Sequence, residues 1–147
     1  MVVGVGGPRA RTPLRPPVGP LTLLLDTHFL IWLVLGSRRL AAFPWLERYQ
    51  PWGVSPVSFL EIQFLAEVGR LSVRNPDFMA AVMADPRFTV DDPPLTPLVR
   101  HALSLDWTRD PFDRLLAAHS VARRVPLCSV HRDVRLHHRL QPVELGR

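Results

Sequence analysis

The feature that most constrains the fold is the run Leu21-Thr22-Leu23-Leu24-Leu25, which ends abruptly in Asp26. Its apolar residues follow one another instead of alternating with polar ones. A strand built from them has both faces buried and needs cover on each side. The rest of the chain supplies that cover, because short β-like runs alternate with helical segments. Phe29 to Leu35 reads as a hydrophobic helix ended near Gly36, and Arg38 to Tyr49 as a short helix interrupted at Pro44. Gly53-Val54-Ser55 is a brief strand. Ser55-Pro56 then joins an N-cap to a proline at the first helical position, and the helix it opens runs to about Val68 and stops at Gly69. Asp77 to Ala84 is helical and Arg87 to Val90 β-like. Thr96-Pro97 and Asp110-Pro111 repeat the cap-plus-proline signal, for helices ending near Leu105 and at Arg123-Arg124. Pro126 to Ser129 is a strand, followed by a short polar helix and an edge strand at Pro142 to Glu144. This alternation predicts an α/β domain with a mostly parallel central sheet. In such sheets ligands sit beyond the carboxyl ends of the strands, where Asp26 lies by sequence position alone.

The 147 residues suffice for one domain with a real core. The single cysteine, Cys128, cannot form an internal disulfide, which fits a reducing cytoplasm. The formal charge is +5, and residues 1–20 contribute +3 of it through Arg9, Arg11 and Arg15. Those 20 residues also hold five Pro and four Gly with no continuous apolar stretch, so they read as a flexible tail rather than a secretory signal. The expected domain is therefore 21–147. All 18 basic residues are Arg, which fits GC-rich codon usage first and phosphate chemistry second. The apolar run from Leu21 to Leu35 contains Asp26 and His28 and falls short of the ~20 residues a membrane span needs, so no membrane association is expected.

Three acids stand where a soluble domain normally places neutral residues. Asp26 ends the first strand, where capping the next helix is the ordinary alternative. The Asp-x-Asp pair of a haloacid-dehalogenase-type phosphatase is excluded, because position 28 is His. On a helical wheel Val57, Leu60, Phe64, Leu65, Val68 and Leu71 form one stripe, and Glu61 lies inside it. A carboxylate there must be paired, hydrogen-bonded or metal-bound, an ion pair to an Arg being the alternative. Asp110 is a helix cap first and a metal ligand second. Asp113 occupies the helix's first turn, where the macrodipole also favours an acid, yet it shares a small-residue face with Leu116, Ala117 and Ser120. Two carboxylates ~5 Å apart at an effective dielectric of ~20 repel by about 3 kcal/mol, which a divalent cation relieves. No Ser-His-Asp triad, phosphate-binding glycine loop or Cys/His zinc spacing competes with this reading. Arg109, Arg114, Arg132 and Arg135 are candidates for holding phosphates, and each also suits a solvated helix face.

From about Leu21 to Val143 the chain resembles PIN-domain proteins, most closely the VapC-type toxins of bacterial toxin–antitoxin pairs. The matching parts are LLLDTH at 23–28 with the apolar FLIWLVL after it, VSPVSFLEI at 54–62, and the block from Leu95 to Val130 containing RDPFDRLL. The resemblance implies a PIN-like α/β/α sandwich and an Mg²⁺- or Mn²⁺-dependent endoribonuclease acting on RNA in the cytoplasm. It further implies a small cognate antitoxin and a homodimer. Asp26, Glu61 and Asp113 then correspond to the first three acids of the site, flanked by the hydroxyls of Thr27 and Ser58. The pattern departs at the fourth acid. Where the family reads Thr-x-x-Asp or Thr-x-Asp, this chain has Ser129-Val130-His131, and the nearest carboxylate is Asp133, turned about 200° away if it lies on a helix. One tightly held ion, a weak or absent second, reduced activity and a preference for Mn²⁺ are expected. The rival is a catalytically weakened PIN domain serving as an RNA- or protein-binding module.

Overall fold

A computed structural model describes residues 21–146. The expected tail lies outside the described residues. Four strands, β1 (Leu24–Leu25), β2 (Trp52–Val54), β3 (Phe88–Val90) and β4 (Leu127–Cys128), form one sheet in the order β3-β2-β1-β4. Every pairing is parallel, with Leu24 opposite both Gly53 and Leu127. The first strand is thus central, which accounts for its unbroken apolar run. Its residues alternate between two cores. Leu23 and Leu25 pack with Phe29, Trp52, Ile62 and Phe78 on one face. Leu24 packs with Leu116, Leu127 and Val134 on the other.

Six helices cover these faces: α1 (Thr27–Leu35), α2 (Pro56–Glu67), α3 (Asn75–Ala84), α4 (Leu95–Ala102), α5 (Pro111–Arg123) and α6 (Arg132–His137). The result is an α/β/α sandwich. The aromatic cluster of Phe29, Trp32, Phe43, Trp45 and Tyr49 joins α1 to the segment after it. Gly53 is required where β2 passes β1, because a Cβ there would stand 2.5 Å from both Leu23 O and Leu21 Cδ1.

Four details differ from expectation. Arg38 to Tyr49 forms two 3-10 helices, Arg38–Ala42 and Pro44–Tyr49, since Pro44 cannot continue the first. Helix α4 begins at Leu95, one residue before Thr96, and no side chain caps it. Pro142 to Glu144 is a turn rather than an edge strand, closed by Leu145 N–H donating to Pro142 O at 2.9 Å. The proline lacks the N–H a ladder needs and instead accepts within the turn. Finally, α2 buries a different stripe. Ser58, Phe59, Glu61, Ile62 and Leu65 face inward. Leu60, Phe64 and Val68 are 65%, 48% and 50% exposed. Helix α2 is apolar nearly all round, so packing rather than periodicity chose its inner face. Glu61 remains on the buried side.

Candidate active site

The sheet order reverses between β1 and β4, and beyond their carboxyl ends is where a sheet of this kind places its ligand crevice. Asp26 leaves β1 there and caps α1, its Oδ1 accepting from His28 N–H at 3.1 Å. From the neighbouring strand end, Ser129 Oγ donates to Asp26 Oδ2 at 2.5 Å. Burial opposes charge on Asp26. The His28 ring, the Ser129 hydroxyl and the helix-capping N–H outweigh it and hold the pKa below the usual carboxylate value. In turn, Asp26 raises the pKa of His28, whose Nδ1 lies 3.7 Å from Asp26 Oδ1.

Glu61 enters from α2 and is 8% exposed. Its Oε1 accepts from Thr27 Oγ1 at 2.5 Å, and Ser58 Oγ lies 3.0 Å from the same threonine oxygen. Thr27 has one proton to give, so Ser58 supplies the second proton of this chain. Glu61 makes no ion pair among the described residues, which removes the arginine alternative. Burial, with the charges of Asp26 and Asp110, raises its pKa against the Thr27 hydrogen bond.

Asp113 is buried in the first turn of α5. Asp110 caps that helix, its Oδ1 accepting from Phe112 N–H at 2.8 Å and Asp113 N–H at 3.4 Å. Thr108 Oγ1 accepts from Asp110 N–H at 3.1 Å and so fixes the cap. Asp113 Oδ2 has no hydrogen-bond partner among the described residues. His131 Nδ1 stands 3.0 Å from it, near enough for charge attraction but out of line for a hydrogen bond. Burial is the main cause that pushes the Asp113 carboxyl up to about 7; Asp110, Asp26 and Glu61 add to it, and His131 works against them.

Asp26, Glu61, Asp110 and Asp113 therefore feel one another's charge across the crevice. Asp133, the second residue of α6, makes no side-chain hydrogen bond or ion pair among the described residues. Of the basic candidates, Arg114 is spent internally, its guanidinium donating to Thr108 O at 2.8 Å and Ala102 O at 3.3 Å. Arg109 and Arg132 are exposed, and Arg135, also exposed, donates to Leu145 O at 2.6 Å. Ser129 is the participant that residue-by-residue reading overlooked. Its only sequence signal is that it occupies the threonine position of the late-strand pattern.

A divalent cation suits this donor set. The oxygens are hard carboxylates, one of them is buried without a donor, and the negative charges mutually oppose ionisation. Among the described residues no three His, Cys, Asp or Glu side chains stand close enough to enclose an ion unaided. Water and substrate oxygens would have to complete its shell, as they commonly do for Mg²⁺.

A parallel sheet in this order, with acids converging from β1, α2 and α5 on the crevice beside β4, defines a class. The PIN-domain family model matches residues 23–139, and the chain belongs to that family, in its VapC-type branch. Over 125 residues it is 30% identical to Ribonuclease VapC22 of Mycobacterium tuberculosis (strain ATCC 25618 / H37Rv), covering 83% of this chain and 96% of that protein. No helix among the described residues is long and apolar enough to cross a membrane.

Proposed function

We propose that this chain is a metal-dependent endoribonuclease, the toxin of a toxin–antitoxin pair acting in the cytoplasm, with residues 21–147 as its nuclease domain. The observation that carries the reading is Asp113. Its buried Oδ2 lacks a hydrogen-bond donor among the described residues, and burial, reinforced by the neighbouring acids, pushes its carboxyl up to about 7. Such a group is stable only with a proton or a cation beside it.

Asp26 and Asp113 are the principal ligands for Mg²⁺ or Mn²⁺, and Glu61 completes the acidic wall or orients the attacking water. Bound there, the ion supplies charge neutralisation at the phosphoryl group and a lowered pKa for a nearby water. Among the described residues each Asp26 oxygen accepts one hydrogen bond and keeps a lone pair for a ligand. Ser129 and Asp110 fix the orientation of the two aspartates, and the Ser58–Thr27–Glu61 chain fixes that of Glu61. Arg109 and Arg132, exposed near the acids in sequence, hold flanking phosphates of the RNA. The apolar outer faces of α2 (Leu60, Phe64) and α4 (Leu95, Val99), each extended by the C-cap residue that follows (Val68 and Leu103), are surfaces for the antitoxin and for a second copy of the chain.

The test is cleavage of single-stranded RNA with Mn²⁺, with Mg²⁺ and with EDTA, in wild type and Asp26→Asn. Cleavage that needs the ion and is lost in the variant supports the reading; EDTA-resistant cleavage refutes it. The alternative, a weakened PIN domain that binds RNA or protein, is favoured by His131 standing at Asp113 where the resemblance expects an acid. It predicts RNA binding without cleavage under all these conditions.

A further inference from the structure

One group at the crevice has no role in the reading above: the imidazole of His131. It is the N-cap residue of α6 but caps nothing with its side chain. Its backbone N–H instead donates to Ser129 Oγ at 3.0 Å, the same hydroxyl that donates to Asp26 Oδ2. That turn ties the His131 backbone to the strand end carrying Asp26 and sets the ring against α5. There Nδ1 lies 3.0 Å from Asp113 Oδ2, and the two side chains are 46% and 6% exposed. Among the described residues the oxygen is otherwise unpartnered, and the geometry is not that of a hydrogen bond.

A separation of this size has another meaning. Two ligands at right angles on one ion, each at roughly 2.1 Å, lie roughly 3.0 Å apart. An oxygen without a donor among the described residues, beside a ring nitrogen at that spacing, matches one edge of a coordination polyhedron. We propose that Nδ1 of His131 and Oδ2 of Asp113 are adjacent ligands of the divalent ion. The centre is then a mixed nitrogen–oxygen site that prefers a first-row transition ion such as Mn²⁺ or Co²⁺ to Mg²⁺. The chemistry follows from the donor. Imidazole nitrogen binds transition ions well and Mg²⁺ poorly, whereas a carboxylate in the same place favours the harder ion. The inference rests on the proposed function only in requiring that this crevice holds a divalent ion.

The test is calorimetric titration of Mn²⁺, Co²⁺ and Mg²⁺ into wild type, His131→Ala, His131→Asp and Asp26→Asn, with pulsed EPR of the Mn²⁺-loaded proteins. Wild type should show ¹⁴N modulation from a directly bound nitrogen. His131→Ala should lose that signal and about tenfold or more in Co²⁺ affinity, while Mg²⁺ affinity barely changes. His131→Asp should shift preference toward Mg²⁺. Mn²⁺ binding that needs Asp26 but shows no ¹⁴N signal overturns the role of His131 and leaves the nuclease reading standing. A ¹⁴N signal that persists in His131→Ala assigns the nitrogen to another residue, His28 being nearest to Asp26, and also overturns it. No binding of any ion by wild type overturns both.

Discussion

Replacing Asp113 by Asn should stabilise the metal-free protein at neutral pH. In the fold this carboxyl titrates at about 7 against a reference value of 3.8. The native state therefore binds the proton more tightly than the unfolded chain does. Below about pH 4 both states are protonated and the group costs nothing. Between about 4 and 7 the unfolded chain ionises freely while the native state resists, so stability falls as pH rises through this window. At 1.36 kcal/mol per pKa unit the full loss is ~4 kcal/mol above pH 7. Asn removes the charge but leaves a buried amide whose partners are incomplete, which returns ~1–2 kcal/mol of the gain. A net stabilisation of ~2 kcal/mol remains, equivalent to roughly 8 °C in Tm for a domain of this size. The assay is thermal unfolding of both proteins in EDTA from pH 4 to pH 8. The two Tm curves should diverge across the window, with the variant higher at pH 7.5 and level or slightly lower at pH 4. Parallel curves would show that Asp113 ionises normally in the fold, and the electrostatic account of the site would fail. Saturating Mn²⁺ should raise the wild type's Tm and leave the variant nearly unmoved.

Three further outcomes are expected. Asp133→Asn should leave RNA cleavage within about twofold of wild type, because it is His131 rather than Asp133 that stands against Asp113, whereas His131→Asp should raise Mg²⁺-supported cleavage; an initial-rate assay that gives the opposite pattern identifies Asp133 as the fourth acid. Gly53→Ala should cost ~1–3 kcal/mol in a denaturant melt, since its Cβ meets a backbone oxygen at 2.5 Å that cannot move independently of β1. A chain beginning at Leu21 should melt like the full chain and lose only salt-sensitive RNA affinity with the three tail arginines; a large fall in Tm would place the domain boundary earlier.

What could be read from the chain in advance was whatever depends on near neighbours. Ser55-Pro56 and Asp110-Pro111 start helices because the cap oxygen and the fixed proline φ act within one turn. That β1 has both faces covered was legible because an unbroken apolar run tolerates no exposed face. The inner face of α2 was not, since Phe59, Ile62 and Leu65 offer as good a stripe as Leu60, Phe64 and Val68, and only the position of the sheet decides between them. Asp26 and Asp113 drew notice through their places at element ends. Ser129 did not, because its bond to Asp26 spans 103 positions and exists only once β4 lies beside β1. The relation of His131 to Asp113 was hidden for the same reason.

The strand order also carries a consequence for synthesis. The first strand formed lies between β2 and the last, and its edge stays open until Leu24 N–H reaches Pro126 O and Asp26 N–H reaches Cys128 O, each at 2.9 Å. Contacts this distant in sequence form late in folding. A chain still on the ribosome has exported Asp26, Glu61 and Asp113 before the segment that orients Asp26 and brings His131 to Asp113. Termination before β4 therefore releases a product with three acids and no assembled crevice. With the acids acting as proposed above, a nuclease ordered in this way would not attack RNA around its own translation site until its synthesis is nearly complete.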